Sequence, residues 1–408
     1  MQILLADYIY TPQGFQQNLA VAFDGKIQAI DTLKNLSKAY PNALVIPKKE
    51  NSILYPGFIN THVHLEFSAN KTSLAYGDFM SWLDTVIEHR NDLMGNCDNA
   101  MMMKECYNML DSGITTFGAI SSFANELEVC EQSPQRVVFF NELIGSNAMV
   151  ADMLYADFIE RVTASSSCEA QSKITPAIAI HSPYAVHPIL VQKAVNVAKK
   201  HQMPLSAHLL ESQAERQWLD KGEGEFKEFF EKYFKTSVPV TSAQEFIHAF
   251  DTYPTHFTHA TQATHEELSY LAQKGHSIAH CPRSNRYLAC GRLPLEILRE
   301  KNLKYSIATD GLSSNDSLNI FDELRATLML HHQAPLTLFA SKLIQAITAD
   351  AGEILKLKIG KIEKGYCADF ALVCLDELPT REEELALWTI LQSKKVQSVY
   401  IEGTEITY

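Results

Sequence analysis

A chain of 408 residues with 46% hydrophobic and 20% charged side chains is long enough for one large domain with a sizeable core and a small companion. Its formal net charge of -13 is spread along the chain with no block of Lys and Arg, which argues against nucleic acid and anionic membrane as partners. The start, Met1 to Asp7, lacks a basic n-region, and no apolar run approaches the roughly 18 residues of a membrane span, so a cytoplasmic protein is expected.

Residues 1 to 53 alternate short apolar runs with turns: Gln2 to Tyr10, then Thr11-Pro12-Gln13-Gly14, then Leu19 to Phe23, Asp24-Gly25 and Lys26 to Ile30. Asp-Gly between two strand-like runs is a hairpin signal. The end of the chain resembles the start, with Gly360 to Val373, Val396 to Glu402 and Thr404 to Tyr408. Isolated hairpins are marginal, so both termini are expected to pair into one small β-sandwich domain, residues 1–53 plus 355–408. Eight cysteines without a Cys-x-x-Cys pair read as reduced, mostly buried thiols.

Between the termini, strand-like runs alternate with helical stretches. The first is Tyr55 to His64; Ile114–Gly118, Arg136–Glu142, Ile174–His181, Pro204–His208, His256–His259, His276–His280 and Lys304–Thr309 follow, eight in all. Helical patterns at Pro188–Lys200, Glu266–Gln273, Leu293–Glu300 and Asn319–His332 separate them. This is the arithmetic of a (β/α)8 TIM barrel over residues 54–354. A doubly wound sheet is the alternative, but no Gly-x-Gly-x-x-Gly or P-loop follows any strand. An insertion, Glu223–Phe234, places Phe226, Phe229, Phe230, Tyr233 and Phe234 on one helical stripe, which suits packing against the barrel or a second subunit, or a lid over an aromatic substrate.

In such a barrel the reacting groups sit where strands end. Strand one closes with His62 and His64, whose i, i+2 spacing puts both imidazoles on one face; strand four closes with His181, five with His208, six with His259 and eight with Asp310. Imidazoles with a carboxylate suit Zn²⁺ or Fe²⁺ rather than Ca²⁺ or Mg²⁺. A catalytic ion keeps a position for water and lowers its pKa toward about 7. Glu211, three residues after His208, is placed to shuttle a proton, or else to complement the dipole of the following helix.

These motifs resemble the amidohydrolase superfamily, in its mononuclear branch of purine-type aminohydrolases: Pro-Gly-Phe-Ile-Asn-Thr-His-Val-His (56 to 64), His-Ser-Pro-Tyr (181 to 184), His-Leu-Leu-Glu (208 to 211), His259, His-Cys-Pro-Arg-Ser-Asn (280 to 285) and Thr-Asp-Gly-Leu-Ser-Ser-Asn (309 to 315). Within it, His-Val-His-Leu-Glu-Phe-Ser (62 to 68), Tyr-Gly-Asp-Phe-Met-Ser-Trp-Leu (76 to 83) and Phe-Asn-Glu-Leu-Ile-Gly-Ser-Asn (140 to 147) are similar to aminodeoxyfutalosine deaminases of menaquinone synthesis. The resemblance implies one divalent metal ion per subunit, held by His62, His64, His208 and Asp310. It also implies Glu211, His259 and Asp310 as catalytic groups. The bridging lysine of binuclear members has no counterpart, since strand four closes with His181 and Lys173 stands at its other end.

The implied reaction is hydrolytic deamination of a 6-aminopurine nucleoside. Glu66, Trp82, His181, Arg283, Ser284 and Asn285 are the expected substrate contacts, with Arg283 facing a substrate carboxylate. Related adenosine-type deaminases hold the ribose with an acid shortly after the Trp-Leu pair; here the nearest acid is Glu88, and Asn91 stands at that place. A homodimer is expected. Other readings of the same constellation are deamination of another adenosine derivative or guanine, a chlorohydrolase, and a non-catalytic metal-binding scaffold.

Overall fold

The computed structural model describes residues 1–168 and 173–407; within its helix, the side chains of Arg90, Asn91 and Met94 lie outside the described residues. Eight parallel strands follow one another in chain order around a sheet: Phe58–Val63, Ile114–Ser121, Arg136–Leu143, Ile174–Ile180, Leu205–Leu209, His256–His259, Ser277–His280 and Lys304–Ile307. Each is followed by at least one helix, as the barrel expectation requires. The strands are buried along almost their whole length, which explains why they read as continuous apolar runs rather than as alternating ones.

The seam between the last strand and the first is not a regular ladder. Asn60 closes it with its side chain, Nδ2 donating to Thr309 Oγ1 at 2.7 Å and Oδ1 accepting from Thr309 N at 3.1 Å. Beyond it the Asp310 amide donates to His62 O at 3.1 Å. The seam therefore fixes the end of strand eight against the end of strand one, and so Asp310 beside His62. Close approach around the barrel also demands glycine at 118, where a Cβ would lie 2.3 Å from Thr61 O.

The termini form two further sheets. One has four strands, in the order Ile27–Asp31, Ala20–Phe23, Gln2–Leu5 and Leu44–Ile46; the other has six, in the order Thr404–Glu405, Ser398–Ile401, Phe370–Cys374, Ser52–Pro56, Tyr8–Thr11 and Gly14–Gln16. Leu4, Val21, Phe23 and Ile27 of the first meet Ile9, Leu54, Phe370 and Tyr400 of the second in one apolar cluster. The Asp24-Gly25 turn joins an antiparallel pair, as its sequence suggests. The run from Gln2 to Tyr10 departs from expectation: it is two strands in different sheets, parted at Asp7, whose carboxylate accepts from Ser52 N at 3.0 Å while its amide donates to Ser52 Oγ at 3.1 Å. Near the carboxyl end, helix Leu385–Gln392 buries Leu385, Ala386 and Ile390 in the barrel's own cluster, and Thr389 meets the Tyr55 hydroxyl at 2.7 Å.

The insertion is a helix, Glu225–Phe234, with Phe226, Phe229 and Phe230 buried. Phe230 stacks on Trp218 with ring centroids 5.1 Å apart, and Phe226 meets Tyr184 and Phe79. Lys232 and Tyr233 bind Glu88 on the facing helix Phe79–Gly95, at 3.2 and 3.0 Å. Among the described residues no helix is long and apolar enough to cross a membrane.

Candidate active site

A cavity of about 270 Å³ opens at the carboxyl ends of the barrel strands, and His64, His181, His208, Glu211, His259 and Asp310 line it. His62 lies just beneath, fully buried. The ligand atoms of His62, His64 and His208 lie within 4.8 Å of one another, and those of Glu211, His259 and Asp310 form a second such group. The two groups touch, since His62 Nε2 and His64 Nε2 each stand 3.7 Å from Asp310 Oδ1.

The other faces of His62, His208, His259 and Asp310 are tied down, whereas His64 Nδ1 lies buried 3.9 Å from Glu66 Oε1 without a hydrogen bond. His62 Nδ1 meets Thr258 Oγ1 at 3.1 Å, His208 Nδ1 donates to the His181 carbonyl at 2.9 Å, and His259 Nδ1 donates to Asn285 Oδ1 at 2.8 Å. Asp310 Oδ2 accepts from the hydroxyls of Ser284 at 2.7 Å and Ser314 at 2.9 Å, and its Oδ1 from Gly311 N at 2.9 Å. Bonds of this kind fix imidazole tautomers and point the remaining nitrogen at a common centre. His62 Nε2 is buried without a hydrogen-bond partner, which a buried polar atom tolerates only when something else satisfies it. Three imidazoles and a carboxylate converging in this way fit a divalent transition-metal ion.

Electrostatics divide the imidazoles: burial would lower His64, but the neighbouring Glu66 and Asp310 carboxylates push it up to about 9, so it gives up a proton on binding an ion. Burial pushes the His62 imidazolium down to about 4 and that of His208 well below its usual value, so both rings stay neutral, the form that ligates. Burial would raise the Asp310 carboxyl, but the imidazoles of His62, His259 and His64 gathered around it hold it well below the usual range. Glu211 goes the other way: burial, then the neighbouring charges of Asp310 and Glu215, raise it well above the usual range, which favours its protonated form. His259 Nε2 stands 3.5 Å from Glu211 Oε1.

Backbone strain gathers at the same place. His259 (φ 70°), Asp310 (φ 61°) and Leu210 (φ 48°), immediately before Glu211, all adopt the left-handed conformation. Such conformations cost of order 1–3 kcal/mol each in non-glycine residues and persist where the surroundings over-determine them. Gly311 lets strand eight approach strand one, because a Cβ there would lie 2.9 Å from His64 Cβ.

The expected substrate contacts fall into two groups. Glu66, Trp82 and His181 line the cavity, with the Trp82 indole N–H donating to Ser313 O at 3.0 Å. Arg283, Ser284 and Asn285 do not line it: Ser284 and Asn285 turn to Asp310 and His259, and the Arg283 guanidinium is drawn into a cluster with Asp316, Ser317 and Glu323. Glu88 is exposed and engaged by Lys232 and Tyr233, while the Asn91 side chain lies outside the described residues.

Sequence reading passed over Glu142 and Ser122. The Ser122 hydroxyl lies 2.9 Å from both Glu66 Oε1 and Glu142 Oε2, and burial raises the Glu142 carboxyl to about 7. The signal available was an acid closing strand three, next in kind to the histidines that close its neighbours.

The amidohydrolase family profile matches residues 53–406. Over 405 residues, 99% of each chain, the sequence is 47% identical to an aminodeoxyfutalosine deaminase of a Nitratiruptor species. It is 34% identical over 395 residues, 96% of this chain and 95% of the other, to an adenosine deaminase of Helicobacter pylori. The crystal structure of Helicobacter pylori aminofutalosine deaminase in complex with methylthio-coformycin superposes with a TM-score of 0.93 at 33% identity, covering all of both chains. With the barrel, the terminal sheets and the family profile in agreement, the chain belongs to the amidohydrolase family.

Proposed function

We propose that this protein is a metal-dependent aminohydrolase that converts 6-amino-6-deoxyfutalosine to futalosine and ammonia, a step of menaquinone biosynthesis. The observation that carries the reading is the 47% identity to an aminodeoxyfutalosine deaminase over 99% of both chains, on a barrel whose strand ends bring His62, His64, His208, Asp310 and Glu211 together. His62, His64, His208 and Asp310 are the residues that would hold one Zn²⁺ or Fe²⁺ ion. When bound, such an ion supplies Lewis acidity that brings the pKa of a water down toward about 7.

The side chains divide the remaining work. Glu211, whose protonated form its burial favours, gives a proton to N1 of the purine, so that C6 accepts the oxygen nucleophile while the ring takes up the electron pair. Asp310 accepts the proton that the attacking water releases, its Oδ2 held by Ser284 and Ser314 throughout. His259, fixed by Asn285, steadies the tetrahedral centre as charge develops. The C6–N6 bond then breaks, N6 leaving as ammonia with the proton held by Asp310 while the C6 hydroxyl gives its proton to Glu211, and the oxo-purine remains.

Phe67, Phe123, Ile144, Phe229 and Phe230 give the cavity an apolar wall, and among the described residues no Lys or Arg lines it. This wall takes an aryl 5′-substituent and leaves its carboxylate at the solvent-facing mouth. It takes a methylthio group equally well, so methylthioadenosine is the second substrate to test. Ammonia release from aminodeoxyfutalosine, adenosine and methylthioadenosine, with metal analysis of the same sample, tests the proposal; preferred turnover of adenosine over aminodeoxyfutalosine would refute it.

A further inference from the structure

Ser/Thr-x-x-Glu marks a helix start when the first side chain caps the fourth amide and the Glu returns to the first. It stands at the start of three α-helices among the described residues. Glu245 Oε2 accepts from Ser242 N at 2.9 Å and Glu267 Oε2 from Thr264 N at 2.8 Å, both in capping boxes with solvent-accessible carboxylates. The third case, Ser212 to Glu215, differs. Ser212 Oγ still accepts from Glu215 N at 3.1 Å, but the Glu215 carboxylate reaches past the cap, taking Leu210 N at 3.1 Å on Oε1 and Glu211 N at 2.7 Å on Oε2.

Those two amides stand on either side of the Leu210 α-carbon, at the left-handed turn that ends strand five. Successive amides converging on one anion make a concave anion-binding nest, and here a side chain of the same segment fills it. Glu215 is 1% exposed and does not line the cavity. A buried carboxylate is costly to keep, and an exposed capping box of the kind at Glu245 would start the helix without that cost. What Glu215 holds that Glu245 does not is the backbone of Glu211. The chain on the far side is held as well, since Thr261 Oγ1 donates to Glu211 O at 2.6 Å and Gln262 N to Leu210 O at 3.0 Å.

We propose that Glu215 is a positioning residue for deamination: by clamping the Leu210 and Glu211 amides it sets the left-handed turn from which the Glu211 side chain enters the cavity. The inference rests on Glu211 being the proton donor. Displacing a reacting group by about 1 Å costs on the order of 100-fold in rate, so the Glu211 carboxyl needs such a support.

The test compares Glu215→Gln, which keeps size and one acceptor, with Glu215→Ala, Glu211→Gln, the double variant Glu211→Gln/Glu215→Gln, and Glu245→Gln as a cap control. Expected are a kcat about 10- to 100-fold below wild type for Glu215→Gln with KM and metal content unchanged, and a deeper loss for Glu215→Ala. In the Glu211→Gln background the second change adds no further loss, because groups that act as one unit are not additive. Glu245→Gln keeps wild-type kcat. Unchanged kcat in Glu215→Gln, or a loss that adds in full to that of Glu211→Gln, overturns the proposal. If Glu215→Ala fails to fold, the isosteric Gln variant and its cycle still decide. A wild-type protein that releases no ammonia from any aminopurine nucleoside would overturn the functional reading instead.

Discussion

Ser284 separates two readings of the segment from Cys281 to Asn285. If its hydroxyl contacts substrate, Ser284→Ala raises KM and leaves the metal alone. The structure turns that hydroxyl to Asp310 Oδ2 at 2.7 Å, where Ser314 donates from 2.9 Å, both with negligible exposure. A hydrogen bond to a charged group contributes about 1.5–3 kcal/mol, and the removal leaves the buried oxygen one donor short. At about 1.4 kcal/mol per factor of ten, this corresponds to a loss of about 10- to 100-fold, the range found when partners of metal ligands are removed. Metal affinity, measured by competition with a chromophoric chelator, should fall by that factor with KM for the nucleoside unchanged, and Ser284→Ala/Ser314→Ala should fall further. A raised KM with unaltered metal affinity would refute the argument.

Glu211→Gln should retain the metal and lose kcat by about 10²-fold or more, as expected when a general acid is removed; near-normal turnover in a metal-replete sample would sink the assignment. Gly311→Ala places a methyl 2.9 Å from His64 Cβ, so metal content measured by elemental analysis should drop with the fold retained by circular dichroism. Arg283→Ala breaks the cluster with Asp316, Ser317 and Glu323, and should lower the melting temperature and depress turnover of adenosine and aminodeoxyfutalosine alike. A loss confined to the carboxylate-bearing substrate would return Arg283 to substrate binding. Phe226→Ala opens a hole between Tyr184 and Phe79 and should cost about 3–5 kcal/mol in denaturant unfolding, as large aromatic truncations in cores do.

The barrel and the strand-end residues were legible because the information is local. Parallel strands buried on both faces appear as apolar runs, and a polar residue that closes such a run stands out, as His208, His259 and Asp310 do. Local reasoning failed where a role depends on what lies across the barrel. Ser284 and Asn285 belong to a recognisable motif, yet nothing in their neighbours says that one faces Asp310 and the other His259, each 26 positions away. The run from Gln2 to Tyr10 misled for the same reason, since its break at Asp7 is set by Ser52, 45 positions on.

Backbone conformation was the least legible layer. Left-handed turns are flagged in sequence by glycine, but His259, Asp310 and Leu210 adopt them without it, Asp310 tied to His62 O and Leu210 to Gln262 and Glu215 by hydrogen bonds. The three Ser/Thr-x-x-Glu segments make the same point at the level of a motif. Their spelling is equivalent, and Glu245 and Glu267 do what the motif predicts, while Glu215 is redirected by a turn that only the end of strand five creates. A motif therefore specifies which bonds a side chain is able to make, and the surrounding fold decides which one it makes. At Glu215 the fold chooses the amides of Leu210 and Glu211 over that of the cap.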